Sequence, residues 1–292
     1  MSDIVQNPNE AWRNFTKQAS ISACKLRRDD LKRIYRLINE KQTEVGNNIV
    51  SKFFQTTEET PEQFQVRCTN VKNAFITTVS ITGENGNVVT GHGDSFFDSP
   101  LLPERISSIL YDTSFSPNAQ LKFTPNDRAS ILLDFSRPPL LNLGTLPSAP
   151  TPNNSNWFIS AENESWCTSL SARLDEFFTQ RLTRLNWLHQ SAVYDALLFV
   201  MGFPLSLWGS YRLSKIIDWS GLPSALSTAI YVYAFLLLLN VFRVLFSYTR
   251  WVFPKVELES EQSPVMLHRT IWSAIMFSVF GSAVWDGIKA LL

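Results

Sequence analysis

Two apolar runs in the C-terminal third, residues 192–208 and 225–242, set the tightest limit on what this chain can fold into. Each approaches the roughly 17 to 25 residues that a helix needs to cross about 30 Å of hydrocarbon. In lipid every backbone N–H and C=O must find an internal partner, so such runs are predicted as helices. A third run, residues 271–292, is less apolar. The expected membrane module therefore covers residues 191–292, with spans at about 192–210, 225–246 and, as a third that either crosses or lies on the bilayer, 270–291.

The residues before it have the composition of a water-soluble head. Up to Gln190 they carry 19 Lys and Arg against 20 Asp and Glu, and the whole chain balances at 26 against 26. That balance argues against nucleic acid as a partner. Cys24, Cys68 and Cys167 lie far apart with no CxxC pairing, which fits buried thiols and neither a disulfide framework nor a zinc site. The first residues are polar and lack the apolar core of a secretory signal, so the head is expected to stay on the cytosolic side.

Within the head, a polar segment, residues 1–28, precedes an α+β domain over residues 29–190. Leu31, Ile34, Tyr35, Ile38, Val45, Ile49 and Phe53 recur at three- and four-residue steps and predict an amphipathic helix with Asp29 near its N-cap. After Pro61 the pattern changes to alternation. Strands are predicted at residues 64–69, 74–82, 87–90, 106–111, 121–124, 130–135 and 156–161, with a turn at Gly83–Gly86, and short strands with tight turns favour an antiparallel sheet. Five prolines mark residues 137–156 as a surface loop or flexible insertion and not a strand. Leu170, Leu174, Phe177, Phe178 and Leu182 restore the helical period, and no proline or glycine separates them from the first apolar run. A rod continuous from head to bilayer and a helix ending near residues 186–189 before a short linker are both compatible with that stretch.

Lys and Arg close to the span ends set orientation. Arg173, Arg181 and Arg184 precede the first span, and Arg243, Arg250, Lys255 and Arg269 flank the second and third, whereas Arg212 and Lys215 are the basic residues between the first two. The head is thus placed in the cytosol and the protein in the cell membrane. Trp208, Trp219, Trp251, Trp272 and Trp285 fall near the predicted span ends, as interfacial indoles do.

Three groups of residues could carry function. Thr270, Ala274, Ser278, Ser282 and Asp286 repeat every four residues on the third helix, a stripe that lets helices approach closely or that would line a pore in an oligomer. Asp195 and Asn240 bring polar groups into the first and second runs, where a carboxylate usually faces protein or water. In the head, Arg28, Lys32 and Arg36 share a helical face suited to anionic lipid or phosphate. His92, His189 and His268 have no ligand-like spacing, and no Walker loop, GxGxxG, HExxH or GxSxG pattern occurs. Neither an enzyme nor a cofactor is called for. The sequence predicts a multi-pass protein that self-associates through its spans and whose head senses or scaffolds a cytosolic partner or ligand. The alternative is an oligomeric channel or membrane-perturbing effector gated by the head, a layout that bacterial defence effectors share by analogy.

Overall fold

The computed structural model describes residues 14–140, 148–216, 223–259 and 265–291. Trp219 and the middle of the proline-rich segment lie outside them. The chain divides into two compact units, residues 1–135 with 154–182, and residues 136–153 with 183–292.

The first unit is α+β. Strands β1 (Phe15–Ser20) and β2 (Cys24–Leu26) lie in the stretch that the sequence left as a polar segment. Helix α1 (Arg28–Val50) buries Leu31, Ile34, Tyr35, Ile38, Gln42 and Val45, the face its periodicity predicts. Its N-cap is Arg27 rather than Asp29, because the Asp30 carboxylate accepts the Arg27 backbone N–H at 2.9 Å. Arg181 binds the same carboxylate at 2.7 Å and, together with the Arg27 N–H, holds it below the ordinary range against the opposing effect of desolvation, which is the largest single influence.

Residues 64–69, predicted as a strand, instead belong to helix α2 (Pro61–Ala74). Thr60 accepts the Gln63 backbone N–H at 3.3 Å, the Gln63 side chain accepts the Thr60 N–H at 3.0 Å, and Pro61 occupies the first helical position. That capping box outweighs the alternation of Phe64 and Val66.

Strands β3 (Thr78–Gly83), β4 (Val88–Gly91), β5 (Ile106–Asp112), β6 (Arg128–Asp134) and β7 (Asn156–Ala161) join β1 in a six-stranded antiparallel sheet of order β1-β7-β6-β5-β3-β4. One face buries Val79, Ile81, Ile109, Tyr111, Ile131, Leu133 and Ile159. Tyr111 Oη donates to Leu31 O at 3.1 Å, fastening α1 to that face, and Phe97 wedges between the Tyr35 and Tyr111 rings. The expected strand at 121–124 is absent: helix α3 (Phe115–Leu121) occupies its start, and Lys122 ends it in the left-handed region at φ 55°. Helix α4 (Glu164–Thr179) starts at Asn163, whose side chain accepts the Ser165 and Trp166 N–H groups.

No rod runs on from α4. Between Thr179 and Val193 the chain makes a tight turn at Asn186–His189 and takes a left-handed conformation at Ala192, φ 63°. The apolar helices follow in the second unit. Helix α5 (Val193–Leu197) passes through a wide turn, Leu198–Gly202, into α6 (Phe203–Ile216), and α7 (Ser224–Val252) and α8 (Val265–Leu291) complete the unit. Pro204 explains the wide turn: it has no N–H for the carbonyl four residues back, and the Phe203 N–H reaches instead to Leu198 O, five residues back. Gly202 and Gly209 let α6 approach α7 closely, since a Cβ on Gly202 would lie 3.0 Å from Phe242 and one on Gly209 2.9 Å from Leu238.

Two stretches, Val193–Ile216 and Ser224–Val252, are long and apolar enough to cross a membrane. Only 22 % and 6 % of their most apolar parts are buried. A core helix of a water-soluble fold would hide that surface, and these do not.

Candidate functional site

The polar groups of the second unit gather in two layers, one at each end of the apolar helices. The first centres on Arg250, near the C-terminal end of α7 and 7 % exposed. Its Nε donates to Leu188 O at 3.2 Å, Nη1 to Ala149 O at 3.0 Å and Nη2 to Gln190 O at 3.3 Å, and the guanidinium lies 4.6 Å from the Phe246 ring centroid. The planar fork suits this role, because it reaches several carbonyls from one rigid group.

Those carbonyls come from two pieces of chain, the turn at Asn186–His189 and the proline-rich segment. Thr151 N donates to His189 O at 3.2 Å, Ala192 N to Ser148 O at 3.0 Å, and Ser148 Oγ to Asp195 Oδ1 at 2.7 Å. The described part of residues 148–151 is thus a strap bonded to the helix ends and not a free surface loop. His189 is buried at 5 % exposure with its Nδ1 2.9 Å from Thr151 Oγ1. Burial, and then the charges of Arg250 and Lys255, push its pKa down from 6.5 to about 4, so the ring is neutral at pH 7.

Aromatic rings complete this layer. The Arg137 guanidinium stacks 4.5 Å from the Trp251 ring centroid, Tyr248 Oη lies 3.0 Å from His268 Nδ1, and Trp272 Nε1 donates to Thr249 Oγ1 at 2.8 Å. Arg269 pairs with Glu257 at 2.8 Å.

The second layer joins α6 to α8. Trp208 Nε1 donates to Asp286 Oδ2 at 3.2 Å, and Arg212 Nε lies 3.3 Å from the same oxygen. Lys215 sits over Tyr211 and Lys289 over Trp285, at 4.4 and 5.3 Å. At 1.5 Å per residue, Tyr194 to Arg212 along α5 and α6 is about 27 Å, and Trp272 to Asp286 along α8 about 21 Å. Exposed apolar side chains, among them Phe199, Val200, Val232, Leu236 and Phe277, fill the band between.

Of the residues singled out from the sequence, Asp286 and Asp195 sit within these layers. Asn240 is exposed and donates to Leu236 O of its own helix at 3.0 Å. Ala274, Ser278 and Ser282 are exposed on α8. In the head, Lys32 and Arg36 are paired with Asp98 and Asp94 at 2.7 and 2.5 Å, while Arg28 is exposed. The basic face is thereby largely neutralised from within the fold.

Sequence reasoning missed the central roles of Arg250, His189 and Arg137. A signal was present for Arg250, a guanidinium inside the last turn of a 29-residue helix, but its partners come from segments with no pattern of their own. Among the described residues no group of three or more His, Cys, Asp and Glu could hold a metal ion. Comparisons with protein-family models, with curated proteins and with solved structures find no match to this chain.

Proposed function

We propose that this chain is a multi-pass membrane protein whose α+β unit stands in the cytosol as a sensor or scaffold for a cytosolic partner or ligand. The observation that carries the membrane reading is the exposed apolar band bounded by two polar, aromatic layers. Its height of about 21 to 27 Å approaches the thickness of bilayer hydrocarbon, and Trp, Tyr, Arg and Lys at both rims suit the interfaces. The basic residues flanking the spans support a cytosolic head, and the cell membrane is the location we propose with it. The role of sensor or scaffold rests on an α+β unit with its own core and on the lack of any catalytic motif in the sequence.

Alkaline-carbonate washing of membranes should leave the full-length protein in the pellet, and release into the supernatant would overturn the spanning reading. For orientation, a cysteine placed at Ser214 should be labelled from outside intact cells and one at Asn85 should not. The reverse pattern would invert the topology.

A second reading, an oligomeric channel or membrane-perturbing effector, is favoured by the exposure of Ala274, Ser278 and Ser282 on α8. These small side chains offer a surface for close helix approach between copies. Size measurement in detergent separates the two: a monomer opposes the channel, and a defined ring with ion flux in liposomes favours it.

A further inference from the structure

The arginines of the second unit's first layer, and Arg36 of the head's basic face, differ in what occupies their donors. Arg250 spends its fork on three carbonyls, Arg269 pairs with Glu257, and Arg36 pairs with Asp94. Arg137 is different. It is half-buried, its guanidinium lies over Trp251 at 4.5 Å, and among the described residues no carboxylate pairs with it. A cation–π contact does not use up the N–H donors of a guanidinium, whose flat fork matches two oxygens of a phosphate.

The surroundings say what kind of phosphate. Trp251 stacks against Tyr248 at 5.9 Å and 13°, and His268 meets Trp251 edge-on at 5.0 Å. Along α7, Val241, Val244, Tyr248 and Trp251 are spaced by three, four and three residues and so share one helical face. Val241 and Val244 are 44 % and 42 % exposed. That face therefore runs from a cation, through amphipathic rings, to open aliphatic surface, which is the order of groups along a phospholipid from headgroup to acyl chain. A free phosphate ion would use the first of these elements and none of the others.

We infer that Arg137, held over the Trp251 ring, binds the phosphate of an anionic phospholipid whose acyl chain lies along Val244 and Val241. The inference rests on the membrane reading, since the end of α7 must lie at the lipid surface. It adds an anionic-lipid contact in the second unit to the one expected at Arg28, Lys32 and Arg36, of which Lys32 and Arg36 are already paired with acid.

The test uses the full chain purified in detergent, titrated with short-chain phosphatidylglycerol, with phosphatidylcholine of the same chain length, and with inorganic phosphate. Native mass spectrometry reads the bound lipid, and thermal unfolding reads stabilisation. Phosphatidylglycerol should bind more tightly than phosphatidylcholine, and Arg137→Gln should weaken it about fivefold, the effect of one basic residue at a membrane surface, while weakening phosphatidylcholine, whose own choline cation offsets its phosphate, by less. Arg137→Lys keeps the charge and loses the fork, and should fall between the two. It serves as the test should the Gln variant not fold. Equal phosphatidylglycerol binding by wild type and either variant would overturn the site. Full replacement of the lipid effect by inorganic phosphate would overturn the lipid as its ligand. Loss of the protein from carbonate-washed membranes would instead be a failure of the membrane reading, visible before any lipid is added.

Discussion

Replacing Arg250 by Met is expected to be the most damaging single change in the helical unit. The Met side chain replaces the aliphatic stem and removes the guanidinium with its contact to Phe246, so most of the loss is polar. Three carbonyls, the buried Leu188 O and the part-buried Ala149 O and Gln190 O, lose their donor at once. An unsatisfied buried polar group costs about 1 to 3 kcal/mol. The three share one donor and relax together, so their costs do not simply add, and a total of about 3 to 5 kcal/mol is expected. At about 2 to 3 °C per kcal/mol for a chain of this size, the midpoint should fall by roughly 6 to 15 °C. Thermal unfolding of the full chain in detergent measures it, with Asn240→Leu, a change at an exposed group bonded to its own helix, as the control. Arg250→Lys should recover part of the loss, because an ammonium keeps the charge but cannot span three separate carbonyls. A midpoint for Arg250→Met within a degree or so of the control would refute the reasoning and mean that the carbonyls find other donors.

His189 should make the helical unit acid-sensitive. Its neutral form is favoured on folding, so the unfolded chain binds the proton first; stability is full above pH 6.5 and declines as pH falls toward about 4, by up to about 3 kcal/mol at 1.36 kcal/mol per pH unit. His189→Gln should flatten that part of a melting-temperature profile measured from pH 4 to 8, and an unchanged acid slope would show that other groups produce it. Asp286→Ala removes the shared acceptor of Trp208 and Arg212; because Arg212 is half exposed, the expected loss is small, about 1 kcal/mol, and is read from the same melts. Ser278→Leu should shift the assembly state seen by size measurement in detergent while leaving the single chain's folding intact, and an unaltered assembly would mean that the stripe faces lipid.

Periodicity carried the reading where one face of an element is buried and the other is not. The α1 face from Leu31 to Val45, the strand β7 at Asn156–Ala161 and the two apolar helices were all legible on that basis. It failed where a local polar signal outweighs the apolar pattern. The Thr60–Gln63 box turns residues 64–69 into helix, and Asp30 moves the start of α1 back to Arg27. The candidate site was less legible than the fold for a different reason. Asp195 and Asp286 stood out because a carboxylate in an apolar run is costly. Arg250, His189 and the strap act through backbone carbonyls, and the position of a carbonyl is decided by the folded chain and leaves no mark in residue type. Arg137 was hidden in the same way, as one basic residue before two prolines whose partner Trp251 lies over a hundred positions later.

The strap also constrains how such a protein is made. Residues 136–153 are synthesised between β6 and β7, yet Ala149 O waits for a donor on Arg250, 101 residues further along. On a ribosome, the sheet has all its strands while this stretch still has no partner and must remain hydrated. Its bonds to His189, Ala192 and Asp195 wait for the turn at Asn186–His189 and the start of α5, and the bond from Arg250 to Ala149 O waits further, for α7. Assembly of the helical unit therefore includes a step that reaches back to an early part of the chain. A chain halted before Arg250 would hold a finished sheet and a strap still lacking its last fastening, the one at Ala149 O.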